Sequence, residues 1–169
     1  MAKDLTTSDL HRRNILNNRY ALQEIEKEVA FPGILFEGSL RYTKRQIASF
    51  YEIDERTINR YLEKHEAEFE SNGYEVLKGK RLKEFKEAYS QYIRDLSDVQ
   101  DIHVLNISHV TDMDVANISK APKVGVFSFR AFLNIGMLLT ESDRARQLRS
   151  LILDIVIDTI NAKIGGNTK

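Results

Sequence analysis

Cysteine is absent from this chain of 169 residues, which excludes disulfides and thiolate metal sites. There is no excess of one charge either. The 25 basic residues balance the 25 acidic ones, so attraction to nucleic acid must come from local clusters rather than bulk charge. No stretch approaches the roughly 20 apolar residues that a membrane span needs. The first 18 residues are polar and lack the apolar run of a secretory signal, so a cytoplasmic protein with no membrane partner is expected. The four histidines (His11, His65, His103 and His109) are scattered, and the spacing of the last pair does not put two rings on one helical face. With no P-loop, no Gly-x-Ser-x-Gly and no metal-spaced His/Asp/Glu cluster, neither catalysis nor a cofactor is expected.

What is present is ordinary for a folded protein: 42% apolar and 30% charged residues, enough to bury a core in one domain or two small ones. Ser8 is placed to cap a helix reaching about Val29, with Ile15, Leu22, Ile25 and Val29 near helical spacing and Phe31-Pro32-Gly33 ending it. Gly38-Ser39 opens an extended piece, Leu40–Tyr42. Lys83 to about Leu96 returns to helical pattern through Phe85, Ala88, Tyr89 and Tyr92. Periodicity weakens from Ser97 to Lys123, where Ile102, Val104, Leu105 and Ile107 suggest a strand. Val124–Phe127 reads as a short strand, Ser128 as the cap of a helix to Leu139, and Ser142 as the cap of a last helix ended by Gly165-Gly166. Three regions are therefore expected: a domain over 1–96, an irregular connection over 97–123, and a helical module over 124–169.

Thr43 to His65 carries the most specific pattern, that of a helix-turn-helix. Two helices crossing steeply need a small residue at the close approach, an apolar residue in the turn, and inward apolar residues at helical spacing on the second helix. Thr43 caps the first helix, Ile47 and Tyr51 face inward, and Ala48 is the small residue. Ile53 is the turn residue, Asp54 caps the second helix, and Ile58, Tyr61 and Leu62 form its inner face. Glu55, Arg56, Thr57, Asn59, Arg60 and Lys64 are left outward. Arg pairs bidentately with guanine and Asn with adenine, which makes Arg56, Asn59 and Arg60 the candidate base readers. Lys44 and Arg45, at the positive end of the preceding helix, suit phosphate. Glu52 stands where such turns commonly have Gly. A left-handed backbone there costs a non-glycine residue about 1–2 kcal/mol, so a longer or differently shaped turn is expected.

Tyr74–Leu77, a Lys78-Gly79-Lys80 turn and Arg81-Leu82 read as a short hairpin following the second helix. That is where a winged helix places its wing, and Lys78, Lys80, Arg81 and Lys83 would give it a basic tip. Between Leu151 and Ile157 the last helix is apolar on nearly all sides, so it is either the central helix of its module or a surface packed on a second subunit. A homodimer through the helix over 143–164 is the second of these. Arg144, Arg146 and Arg149 crowd the start of this helix, the end where cations are disfavoured.

The stretch from Phe127 to Arg149, FSFRAFLNIGMLLTESDRARQLR, resembles the end of prophage antirepressor (BRO-N-like) and RhuM-type virulence-protein domains. Tyr42–Leu62, a Thr-Lys-Arg-Gln-Ile-Ala run followed by a recognition-like helix, is similar to the RhuM-type N-terminus. The resemblance implies a bacterial mobile-element or host-defence DNA-binding protein joined to further domains, and the ending Asn167-Thr168-Lys169 suits a chain cut from a longer one. The fold class expected is mainly α with small β elements: an N-terminal winged helix-turn-helix and a C-terminal α/β antirepressor-like module. The function expected is sequence-selective binding of double-stranded DNA in transcription regulation. The alternative is an antirepressor or antitoxin-like protein-interaction module without catalytic activity.

Overall fold

The computed structural model describes residues 4–98 and 112–168, and the suggested strand over 102–107 falls outside them. The chain is mainly helical, with one small antiparallel sheet. The helices are α1 (Asp9–Leu16), α2 (Arg19–Val29), α3 (Lys44–Tyr51), α4 (Glu55–Lys64), α5 (Glu66–Ser71), α6 (Gly79–Asp98), α7 (Asp112–Lys120), α8 (Phe129–Leu138) and α9 (Asp143–Thr168). The strands are β1 (Ile34–Phe36), β2 (Ser39–Thr43), β3 (Glu75–Leu77) and β4 (Val124–Phe127), in the order β1-β2-β4-β3.

Several expectations meet corrections with local causes. The helix expected from Ser8 to Val29 is two helices, because the Asn18 side chain accepts from the Ala21 N–H and starts α2 afresh. Ile34–Phe36, unassigned from sequence, pairs with β2 across the two-residue loop Glu37-Gly38. Both loop residues have positive φ, 52° and 83°, as the twist of a tight hairpin requires. The wing is not a hairpin. Lys80, Arg81 and Leu82 lie in the first turns of α6, and β3 pairs instead with β4. The connection over 97–123 contains α7, so it is not irregular throughout. Finally, α9 continues through Gly165-Gly166 to Thr168.

The sheet joins strands from 1–96 and 124–169. β4 lies between β2, from the first region, and β3, with Tyr42 opposite Phe127 and Leu77 opposite Val124. Alternation along the strands sends side chains to two cores. Ile34, Phe36, Leu77, Val124 and Val126 meet Leu82, Phe85 and Tyr89 of α6 on one face. On the other face Tyr42 and Phe127 join the larger core of α1, α2, α3, α4, α8 and α9. At its centre Phe132 of α8 packs on Phe31, Tyr42, Phe50 and Tyr51, with ring centroids 4.9–5.7 Å apart. A helix-sheet-helix sandwich results, and α3–α4 stands on one of its outer layers.

The cations at the start of α9 each find a partner. Arg144 lies 4.4 Å from the Phe50 ring centroid, and Arg146 pairs with Asp143 at 3.1 Å. Arg149 donates to the carbonyls of Gly136 and Leu139 at the end of α8, at 2.9 and 2.5 Å. Those carbonyls are the negative end of a helix, so Arg149 is placed where a cation is favourable.

Candidate nucleic-acid interface

The α3–α4 pair forms as the residues dictate. The Thr43 hydroxyl accepts from the Gln46 N–H at 3.2 Å while Gln46 Oε1 accepts from the Thr43 N–H at 2.9 Å, a reciprocal capping box. The turn is short rather than enlarged. Glu52 takes the left-handed conformation at φ 57°. The Ile53 N–H returns to the Ala48 carbonyl at 3.0 Å and the Glu52 N–H to the Ser49 carbonyl at 3.2 Å, the paired bonds of a Schellman motif. These bonds satisfy the last carbonyls of α3 and offset the strain at Glu52. Asp54 then caps α4, its carboxylate accepting from the Arg56 N–H at 2.9 Å. That hydrogen bond, made to the charged form, holds the Asp54 carboxyl below its ordinary pKa.

Burial divides α4 as the spacing requires. Ile58 and Leu62 are buried beneath it and Tyr61 is half-buried, whereas Arg56, Asn59, Arg60 and Lys64 are exposed. These four outward residues recur at helical spacing on one side. Arg56 is 90% exposed, with one long contact of 3.4 Å to Asp54. Thr57 and Glu55 are half-buried at the margins.

The other candidates are more committed. Arg60 is ion-paired with Glu141 in the turn between α8 and α9, and Tyr61 donates to the same carboxylate at 2.6 Å. Arg45 lies 3.8 Å from Glu55 and 3.5 Å from Asp114 of α7. Arg81 donates to Glu37 at 2.5 and 3.0 Å and to Glu75 at 2.6 and 3.2 Å, joining the β1–β2 turn to β3. That turn is the opposite end of β2 from Lys44, about 13 Å away along a strand rising roughly 3.3 Å per residue. Lys44, Arg45 and α4 therefore lie together at one end of the sheet. Arg81, held by Glu37 and Glu75, belongs to the first turns of α6, with Lys80 its neighbour there and Lys78 just before that helix.

Glu141 and Asp114 were not legible as parts of this surface, nor was Glu37 as the partner of Arg81. Each lies far along the chain from the arginine it holds, and nothing in local spacing couples them. Among the described residues no group of three or more His, Cys, Asp or Glu could hold a metal ion, and no helix is long and apolar enough to cross a membrane. No family model matches this chain, and no curated protein or solved structure matches it either.

Proposed function

We propose that the chain is a sequence-selective DNA-binding protein, a transcriptional regulator of the mobile-element or host-defence type implied by the likeness to RhuM-type and antirepressor domains. The observation that carries this is the outer face of α4. Arg56, Asn59, Arg60 and Lys64 project from a helix whose opposite side is anchored by Ile58 and Leu62. Long side chains on a rigidly seated helix are what major-groove reading needs: Arg56 and Arg60 for guanine, Asn59 for adenine. Lys44, at the start of α3 beside this face, takes a phosphate, and Arg45 joins it by exchanging Asp114 and Glu55 for the DNA backbone. Arg81 is left out of this contact set, since Glu37 and Glu75 already neutralise it, whereas Lys78 and Lys80 stay exposed. Selection of bound duplexes from a random pool tests the reading. An enriched motif that changes with Arg56→Ala or Asn59→Ala supports it, and a pool that stays random contradicts it.

A protein-interaction role is the second reading, favoured by the carboxylates that already neutralise Arg45 and Arg60. A surface so compensated suits a partner bearing charges of both signs. Arg56→Ala and Arg60→Ala would leave such a partner bound if it docks elsewhere. A homodimer belongs with the leading reading, since paired half-sites call for two copies. Ile157 and Ile160 of α9 are 54% and 50% exposed and follow half-buried Leu153 at helical spacing. Sedimentation of Ile157→Lys against the unaltered chain checks this, with loss of a dimer the expected outcome.

A further inference from the structure

The turn between α8 and α9 meets α4 through Thr140 and Glu141, and the Glu141 carboxylate is fixed there by neutral groups. Its Oε1 accepts from the Tyr61 hydroxyl at 2.6 Å and from the Thr140 hydroxyl at 3.1 Å, while the Thr140 N–H donates to the Tyr61 oxygen at 3.3 Å. Tyr61 is half-buried and packs against the larger core, so the carboxylate is tied to the body of the molecule. Oε2 is left to pair with Nη2 of Arg60. We infer that Glu141 is a positioning residue that sets base specificity: it holds the Arg60 guanidinium in the orientation from which it reads one guanine. This rests on α4 being the DNA-reading helix.

The guanidinium can hold Glu141 and a guanine together. Its two bidentate edges, Nε with Nη2 and Nη1 with Nη2, share Nη2, but Nη2 carries one hydrogen on each edge. The Glu141 contact takes one of these hydrogens, so one complete edge stays open for guanine O6 and N7. The Arg60 side chain is 61% exposed, which leaves room for a base at that edge. The Tyr61 ring flanks the group from a second side, its centroid 5.5 Å from Arg60 Cζ.

Arg56 is the contrast. It reaches Asp54 only at 3.4 Å and is otherwise exposed, so the DNA itself must order it. A guanidinium that is already held loses less freedom on binding, and it cannot swing to meet a displaced acceptor. The charge of Glu141 works in the same direction. An anion beside the reading face repels phosphates that approach out of register, which disfavours unrelated duplexes.

Fluorescence anisotropy at fixed salt tests this, on the full chain with the enriched duplex, its single-base-pair variants and unrelated duplexes. Arg60→Ala first locates the pair that Arg60 reads, by a loss of about 5–150-fold in discrimination there. Glu141→Gln keeps the size of the side chain and removes its charge. It should lower discrimination at that same pair several-fold, leave the pair read by Arg56 unchanged, and raise affinity for unrelated duplexes. In the Arg60→Ala background it should change discrimination no further. Tyr61→Phe removes the hydroxyl that fixes Oε1 and keeps the ring. It should reproduce the loss in smaller measure, and it keeps the test meaningful if Glu141→Gln folds poorly. Unchanged discrimination in both variants overturns the inference and leaves the DNA reading intact. So does an equal gain on every duplex, which would make Glu141 a mask over Arg60, or an equal loss at every pair, which would make it a structural clasp. An Arg60→Ala chain that discriminates as before overturns it as well. Absence of any DNA binding by the unaltered chain overturns the DNA reading itself, and this inference with it.

Discussion

Replacing Arg12 by methionine removes the cation from the most buried ion pair among the described residues while keeping most of the side-chain volume. Arg12 is 4% exposed and donates to Glu68 twice and to the Leu5 carbonyl at 2.7 Å. Truncating one partner of a buried pair costs about 3–5 kcal/mol, because the other charge stays desolvated and unmatched. Glu68 keeps its bond from Asn134, and its side chain is 23% exposed, so water reaches it in part. These features place the expected loss at the lower end, about 3 kcal/mol. In a chain of this length that corresponds to a thermal midpoint lower by roughly 6–12 °C. Urea unfolding of Arg12→Met, Glu68→Gln and the double variant separates the pair from its surroundings. The double variant should be more stable than Arg12→Met alone by about 1 kcal/mol, since the orphaned charge is gone. Additive losses would refute the reasoning. The pH dependence follows from Glu68. Burial raises its pKa, but the Arg12 and Asn134 hydrogen bonds outweigh burial and hold it below the ordinary 4.5. A depressed carboxyl stabilises fully above 4.5 and ceases to as pH falls through its folded-state value. The gap between the unaltered chain and Arg12→Met should therefore be constant near neutrality and narrow in acid.

Glu52→Gly should raise stability by up to about 1 kcal/mol, since glycine meets the left-handed φ without a Cβ penalty. A lower urea midpoint would contradict the Schellman geometry assigned to that turn. Gly136→Ala should lower stability by about 1–3 kcal/mol although alanine is the better helix former. A Cβ there would collide with the Tyr51 hydroxyl and approach Leu148 Cδ2 to 2.9 Å, and a neutral or stabilising outcome in the same assay would show that α3 and α9 yield. Arg81→Ala should leave DNA affinity unchanged in a fluorescence anisotropy titration, because Glu37 and Glu75 already neutralise Arg81. A marked loss would return the basic turn to the interface.

Local signals carried much of this architecture. Thr43, Asp54, Ser128 and Ser142 start the helices they were assigned to, with side-chain oxygens accepting from N–H groups in the first turn. The inward positions Ile47, Ala48, Ile58 and Leu62 are buried as their spacing implies. What failed were features set by partners distant in sequence. Lys78-Gly79-Lys80 has the composition of a hairpin turn, yet β3 finds a better partner in β4, which buries Val124 and Val126 against α6. At Glu52 the local rule was sound, but the two returning hydrogen bonds outweighed the strain it described. The candidate surface was half legible: α4 showed its outward residues, while Glu141 and Asp114 lay beyond any local pattern.

The salt dependence of DNA affinity tests the central claim most directly, measured with the unaltered chain, Arg56→Ala and Lys64→Ala on an enriched duplex. The account predicts a linear fall of log affinity with log salt, from release of counterions at each neutralised phosphate. Lys64→Ala should flatten that slope by about 1. Arg56→Ala should weaken the enriched duplex by about 1–3 kcal/mol while unrelated duplexes change little. Absence of binding at low salt, or slopes and preferences identical in all three proteins, would contradict the assignment of α4 as the DNA-reading helix.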